Sequence, residues 1–271
     1  MTTPEQPTAE YWDDVADSFG HHDPSATWRA YMQAAYRELM DKWFADAPPG
    51  ATLKTDLFEE AITPHHLFGA LGPNGVGMDV SLSVVRAAAQ RLTHEGSRAA
   101  SRVLVCDVRS LPLESRSFAR ILSGSSLDHF ASKPDIALSL AELARCLTPG
   151  GVLIVTFDNP HNPLVRLRNG LPFKWLSAAK LVPYYVGATY SRADITREAA
   201  ALGLQVTHMS AIVHVPRAPA IWIASLWERW GARRVSRSLL RAFRTLDGQE
   251  SMPWRFRSGY YLAARIVKPA E

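Results

Sequence analysis

Three aspartates fall at the ends of three successive apolar runs. Asp56 lies in the run at 51–58, Asp79 closes the run beginning at Val76, and Asp107 closes Arg102–Cys106. A carboxylate accepts hydrogen bonds and carries negative charge, so such a set suits a ligand that presents hydroxyls, an amine or a cation. Asp79 follows the first run by about 20 residues, the spacing of an acid that binds ribose hydroxyls. Asp107 is placed to accept from an exocyclic amine. Each acid alone also suits a helix cap or a turn; the argument rests on the set. Val80 and Val108 come next in the chain and are expected at the same ligand. Ser123, at the end of a fourth run, joins them. His129 follows that fourth run and titrates near neutral pH, so it is the first candidate for a base. A structural histidine at a helix start is the competing reading. His161 lies in the proline-bounded stretch Asp158–Pro163, past a fifth run, and is the second candidate. Asn159, Tyr184, Tyr185 and Trp222 are expected to line an acceptor site, with Phe19 and His22 reaching it from the amino-terminal region. No metal site is expected. Cys106 and Cys146 lack ligand spacing, and adjacent His65 and His66 would face different directions on a helix.

The elements that must hold these groups alternate. Runs at 51–58, 76–79, 102–106, 120–123 and 152–157 read as strands. Helices are expected between them, including one starting at Thr63-Pro64, one at 81–94 and one at 134–147. Five such alternations specify a parallel sheet with helices on both faces. Two further runs, Leu204–Val215 and Tyr260–Val267, lack a helical crossover and read as an antiparallel hairpin. Residues 10–47 carry a helical period rich in aromatics, and residues 1–9 read as unstructured. Gly72, Gly75 and Gly77 precede a strand instead of following one, so they read as a turn and not as a phosphate cradle.

Three segments carry a resemblance. Val105–Phe118, with Asp107, Leu111-Pro112 and Ser117-Phe118, is similar to the post-third-strand run of class I S-adenosylmethionine-dependent methyltransferases. Ile121–Phe130, with Leu127-Asp128-His129, resembles their fourth-strand segment. Glu142–Gly151, with Arg145, Leu147 and Pro149-Gly150-Gly151, resembles their helix-to-strand turn. The resemblance implies a Rossmann-like, doubly wound, mostly parallel seven-stranded α/β sheet with an antiparallel carboxyl-terminal edge hairpin. It also implies S-adenosylmethionine as cofactor. The chain departs from the pattern at Ala119 and Thr148, and above all in Leu53–Ile62. There Phe58, Glu60 and Ile62 stand at the three positions where the family has glycine. Glycine there permits positive φ and a close backbone approach to ligand. The turn is therefore expected to take another path, directly into a helix beginning near Glu59. Phe58 and Glu59 are then cofactor-side residues. Glu59 and Glu60 either face the cofactor's cationic groups or serve as the acidic start of that helix. Lys54 is expected to point away from the neighbours of Asp56.

At 271 residues and 47% hydrophobic, the chain can bury one large core. A single domain over 1–271 is expected: a helical lid at 1–50, a cofactor core at 51–157, cap insertions at 158–190 and 217–250, and a closing helix and hairpin at 191–216 and 251–271. A net charge of +4 does not argue for nucleic acid. No apolar run reaches the about 20 residues of a membrane span, and the amino terminus carries no signal-peptide pattern. A soluble cytoplasmic protein with free thiols is expected. The second insertion reads as one basic helix with an aromatic start. It suits a cap over an apolar acceptor, a helix packed on the sheet or on a second subunit, or a helix at a membrane surface. A small hydrophobic or aromatic acceptor is the expected partner, and a homodimer is possible in this reading.

Overall fold

The central strands show little polar alternation because both faces of the sheet are covered there, while the two edge strands keep exposed positions. The computed structural model describes residues 7–19, 26–96, 102–178, 182, 184–230, 233–247 and 252–270. Among these, seven strands form one sheet: β1 (Thr52–Lys54), β2 (Gly75–Asp79), β3 (Val103–Val105), β4 (Phe118–Gly124), β5 (Leu147–Asp158), β6 (Gln205–Ile212) and β7 (Tyr261–Val267). Their order is β3-β2-β1-β4-β5-β7-β6. The first five pair in parallel, and β7 runs antiparallel between β5 and β6. This is the sheet expected from the sequence, edge hairpin included.

Successive residues of a strand point to opposite faces. Leu122, Val152 and Ile154 accordingly enter one apolar cluster, while Ile121, Leu153 and Val155 enter the other. On the first face lie α2 (Ala26–Trp43), α3 (Phe58–Ile62) and α4 (Leu82–His94), and on the second α5 (Lys133–Cys146) and α8 (Arg192–Ala201). Ser81 and Ser132 cap α4 and α5 through side-chain oxygens. α1 (Ala9–Phe19) packs on α3 and α4 and brings Trp12 against His129. The remaining helices are α6 (Pro163–Asn169), α7 (Phe173–Ala178), α9 (Arg217–Arg229), α10 (Arg233–Asp247) and the short α11 (Arg255–Ser258).

Three expectations are corrected. β1 ends at Lys54, before Asp56, so that acid lies in the turn and not in the strand. No helix starts at Thr63-Pro64. Thr63 is extended, as the residue before a proline prefers, and it terminates α3. The second insertion is two helices, not one. α9 and α10 pack on α2, with Glu228 accepting from the Thr27 N–H at 2.7 Å and Asp247 from the Tyr31 hydroxyl at 2.6 Å. Among the described residues no helix is long and apolar enough to cross a membrane.

Candidate functional site

A cavity of about 250 Å³ opens at the carboxyl ends of β1 to β4, where the strand order reverses between β1 and β4. Its first wall is the turn after β1. The Leu57 N–H donates to Asp79 Oδ2 at 3.0 Å, and the Phe58 N–H to Asp56 Oδ1 at 2.6 Å. The chain then enters α3 with no positive φ at Phe58, Glu60 or Ile62. The direct passage into a helix that the missing glycines required is therefore what forms. The close approach is made one strand away: a Cβ on Gly77 of β2 would lie 2.5 Å from Leu57 Cδ2. Gly77 thus makes room for the fully buried Leu57, and it lies, like Gly75, inside β2 and not in a turn before the strand as expected.

Nine charged side chains line the cavity, apart from histidines, and most pair among themselves. Glu59 takes Arg29 at 2.7 Å and Glu60 takes Lys54 at 2.9 Å. Lys54 Nζ also donates to the Asp56 carbonyl, so with its Glu60 pair it turns towards the neighbours of Asp56 and not away from them as expected. Asp107 takes Arg109, which reaches Asp135 as well at 3.0 Å. Burial raises the Asp107 carboxyl, but the Arg109 hydrogen bonds outweigh it and leave the group below its usual range. The balance left over is two acids at one end, Asp56 and Asp79, and one arginine at the other, Arg217. Asp79 accepts from the Leu57 and Ser81 N–H groups, one per oxygen, which leaves further lone pairs on both. Burial, and then the charge of Asp56, push Asp79 up to about 7. Asp79, raised in this way beside the half-buried Asp56 and keeping spare lone pairs, defines a place for a ligand carrying hydroxyl or cationic donors.

The far wall is aromatic. The His129 ring packs between Trp12 of α1, at 4.8 Å, and Tyr184, at 5.4 Å, and Phe58 approaches Tyr184 at 6.4 Å. His129 Nδ1 lies 2.9 Å from the Tyr185 carbonyl, which can only accept, so Nδ1 carries the proton and Nε2 the lone pair. Asp128 is buried next to it. Its Oδ2 accepts from Ser125 Oγ and the Asp158 N–H, while Oδ1 has no hydrogen-bond partner among the described residues and lies 3.9 Å from His129 Nε2. Tyr185 is held in place by Tyr11, whose hydroxyl accepts its N–H at 2.7 Å.

Of the residues singled out in the sequence, Asp56, Phe58, Glu59, Asp79, Val80, Asp107, Val108, His129 and Tyr184 line this one cavity. Ser123 does not. It is fully buried beneath the first turn and accepts from Thr55 Oγ1 at 3.0 Å. Asn159 is also fully buried; its amide donates to the Phe256 and Gly259 carbonyls, so it braces the approach to β7. His161 is exposed and borders a separate surface groove beside Arg166 and Arg257. Tyr185 contributes its carbonyl, while its ring packs on Phe173 at 5.5 Å. Trp222 is 67% exposed on the outer side of α9 and caps nothing in this cavity. Phe19 ends α1, but its side chain, like the whole of His22, lies outside the described residues. Sequence reading missed Trp12, Arg29, Tyr36 and Arg217. Each comes from a helix outside the strand–turn–helix core, and no spacing ties it to the site.

A doubly wound seven-stranded sheet of this order, with its cavity at the strand ends, is class I methyltransferase architecture, as the motifs implied. Residues 63–155 match the model of a methyltransferase domain family. Solved structures agree on the fold. Geranyl diphosphate C-methyltransferase from Streptomyces coelicolor A3(2), in complex with geranyl diphosphate and S-adenosyl-L-homocysteine, is 17% identical, with a TM-score of 0.53 over 87% of this chain and 79% of that one. The [4+2]-cyclase SpnF is 17% identical, with a TM-score of 0.58 over 99% of this chain and 98% of that one. A Haemonchus contortus phosphoethanolamine N-methyltransferase is also 17% identical, with a TM-score of 0.53 over 87% of this chain and 52% of that one. No curated protein matches the sequence. The residues present fit S-adenosylmethionine. Asp56 and Asp79 would supply acceptors for its hydroxyls and ammonium, Val80 and Val108 would give apolar cover, and Asp107 with Arg109 would present a polar edge.

Proposed function

We propose that the chain transfers a methyl group from S-adenosylmethionine to a small apolar or aromatic acceptor. The observation that carries this reading is the unpaired acid couple Asp56–Asp79 in a cavity that ends in the box of Trp12, His129 and Tyr184. When bound, the cofactor supplies an electrophilic methyl group. Asp56 and Asp79 bind its hydroxyl and ammonium donors and place it. Trp12 and Tyr184 exclude water and align an acceptor ring or chain, and much of the rate of such a displacement comes from alignment. His129 takes the acceptor's proton at Nε2 where one must leave, and Asp128 Oδ1 stabilises the charged ring that results. α1 acts as a lid, since it brings Trp12 over the cavity. Calorimetry with S-adenosylhomocysteine tests the cofactor half. Micromolar binding is expected, and no binding at millimolar concentration would sink the reading.

A second reading has support of its own: a methyltransferase-like chain that binds a metabolite or catalyses a rearrangement without methyl transfer. The glycine-free first turn favours it, as does likeness to a [4+2]-cyclase over nearly the full length of both chains. Cofactor binding with no turnover across a panel of apolar O-, N- and C-acceptors would decide for it.

A further inference from the structure

The charge balance of the cavity has a positive remainder as well as a negative one. Arg217 opens α9 and reaches the cavity at the end away from the acids. Around it stand Tyr184, Tyr260 and Tyr261, with its guanidinium 5.9 Å from the Tyr184 ring centroid. Among the described residues no carboxylate pairs with it. Of the acids by that end, Asp158 is bound by Arg168, which also donates to the Tyr260 hydroxyl at 2.6 Å, and Asp128 lies 3.9 Å from His129. The other cavity-lining cations, Arg29, Lys54 and Arg109, each have an acid partner.

Arg217 is also fixed from behind. Val213, a β-branched residue, holds φ at +62°, a conformation sustained only where surrounding structure imposes it. Its carbonyl accepts from the Tyr260 N–H at 2.9 Å, and the His214 N–H donates to Asp247 at 3.3 Å. The turn that leads into α9 is thus tied both to β7 and to α10. A guanidinium held at an aromatic wall without a counter-ion is costly unless a ligand supplies one, and planar oxyanions match its donor fork.

We propose that Arg217 forms an anion subsite at the acceptor end, so that the substrate is an apolar molecule bearing a carboxylate or phosphate. This rests on the acceptor half of the proposed function and is independent of methyl transfer itself. Tyr261 of β7 lines this end, whereas Asp56, Asp79 and Asp107 stand at or just past the ends of β1, β2 and β3, so the subsite is separate from the cofactor's acids.

The test measures binding of decanoate, decyl phosphate and neutral decanol to the full chain by calorimetry, with S-adenosylhomocysteine measured separately. At least one anionic probe should bind ten-fold or more tightly than decanol. Arg217→Met should remove that preference, Arg217→Lys should keep part of it, and both variants should bind S-adenosylhomocysteine as the parent does. Which anion binds better separates carboxylate from phosphate. Equal binding of all three probes, binding of none at millimolar concentration, or an unchanged preference in Arg217→Met would overturn the subsite. Loss of S-adenosylhomocysteine affinity in a folded Arg217→Met would assign the arginine to the cofactor instead. Failure of the parent to bind S-adenosylhomocysteine bears on the methyltransferase reading alone.

Discussion

The two ends of the cavity are built differently. The end under β1, β2 and β3 is made of short turns that follow strands, and its acids come from the turns themselves. The end by β4, β5 and β7 borrows groups from α1, from the Tyr184 loop and from the start of α9. A turn residue is placed by the sheet, so its position follows from the strand pattern. A borrowed residue is placed by the packing of a distant helix, which no local spacing encodes. The polarity differs too. Among the described charged side chains that line the cavity, the first end leaves Asp56 and Asp79 without an ion-pair partner and the second leaves Arg217.

The largest effect should come from breaking the first end's internal pair. Glu60 is fully buried and Lys54 nearly so. Removing one partner of such a pair leaves a buried charge uncompensated, at a cost of about 3–5 kcal/mol. Glu60→Gln is therefore expected to lower the urea midpoint sharply, and Lys54→Met with Glu60→Leu to recover much of the loss. If Glu60→Gln unfolds like the parent, the pair does not hold α3 in place of a glycine turn.

At the other end, His129→Gln should spare folding and cofactor affinity but slow turnover. General bases contribute about 10²–10⁴-fold in rate, and the lower part of that range is expected, since alignment by Trp12 and Tyr184 survives. Asp128→Asn should give a smaller loss together with a shifted pH–rate profile. An acceptor that has no proton to lose would leave both variants unaffected.

Legibility followed the same division. The edge hairpin and the acids after β1, β2 and β3 were readable, because apolar runs and turn position are local properties, while the strand order came only with the resemblance of the motifs. The path of the first turn was readable by elimination: Phe58 and Ile62 disfavour positive φ, and a helix was the remaining route. The pairing of Lys54 with Glu60 was not, since their six-residue separation crosses a strand-to-helix turn whose shape the sequence leaves open. His161, Asn159 and Trp222 were assigned to the acceptor from strand-end position or composition. Neither says whether a side chain turns inward, and the structure turns all three elsewhere. Arg217 and Arg29 were invisible for the converse reason: they enter the cavity from helices whose docking depends on contacts such as Thr27–Glu228, 201 residues apart.

Asp79 sharpens the comparison through pH. Its carboxyl is raised in the folded state, up to about 7, above the unfolded value of about 4. A raised acid contributes stability that is present below the unfolded pKa and lost as pH rises through the folded one. The free protein is thus expected to melt a few degrees lower at pH 8 than at pH 5.5 on this account, and Asp79→Asn to flatten the difference. Ligand affinity should run the other way. A protonated Asp79 accepts less well, so cofactor binding weakens by up to about tenfold per pH unit below 7. In Asp79→Asn, binding should be weak at every pH. A melting temperature that rises with pH by the same amount in parent and variant would remove Asp79 as the titrating group.

The smallest effect is expected at Trp222, and it tests where the acceptor end stops. The residue lies on the face of α9 opposite the one packed on α2, with two-thirds of its surface in solvent. Truncating an exposed side chain away from caps, cores and pairs changes stability by about 0.5 kcal/mol or less. Trp222→Ala should therefore leave melting, S-adenosylhomocysteine affinity and turnover close to those of the parent, while Trp12→Ala, which removes a wall of the His129 box, should raise KM for an apolar acceptor. If Trp222→Ala raises KM as much as Trp12→Ala does, α9 swings its outer face over the acceptor during the cycle. The acceptor end would then owe its shape to motion of the insertion, whereas the acid end owes its shape to the sheet.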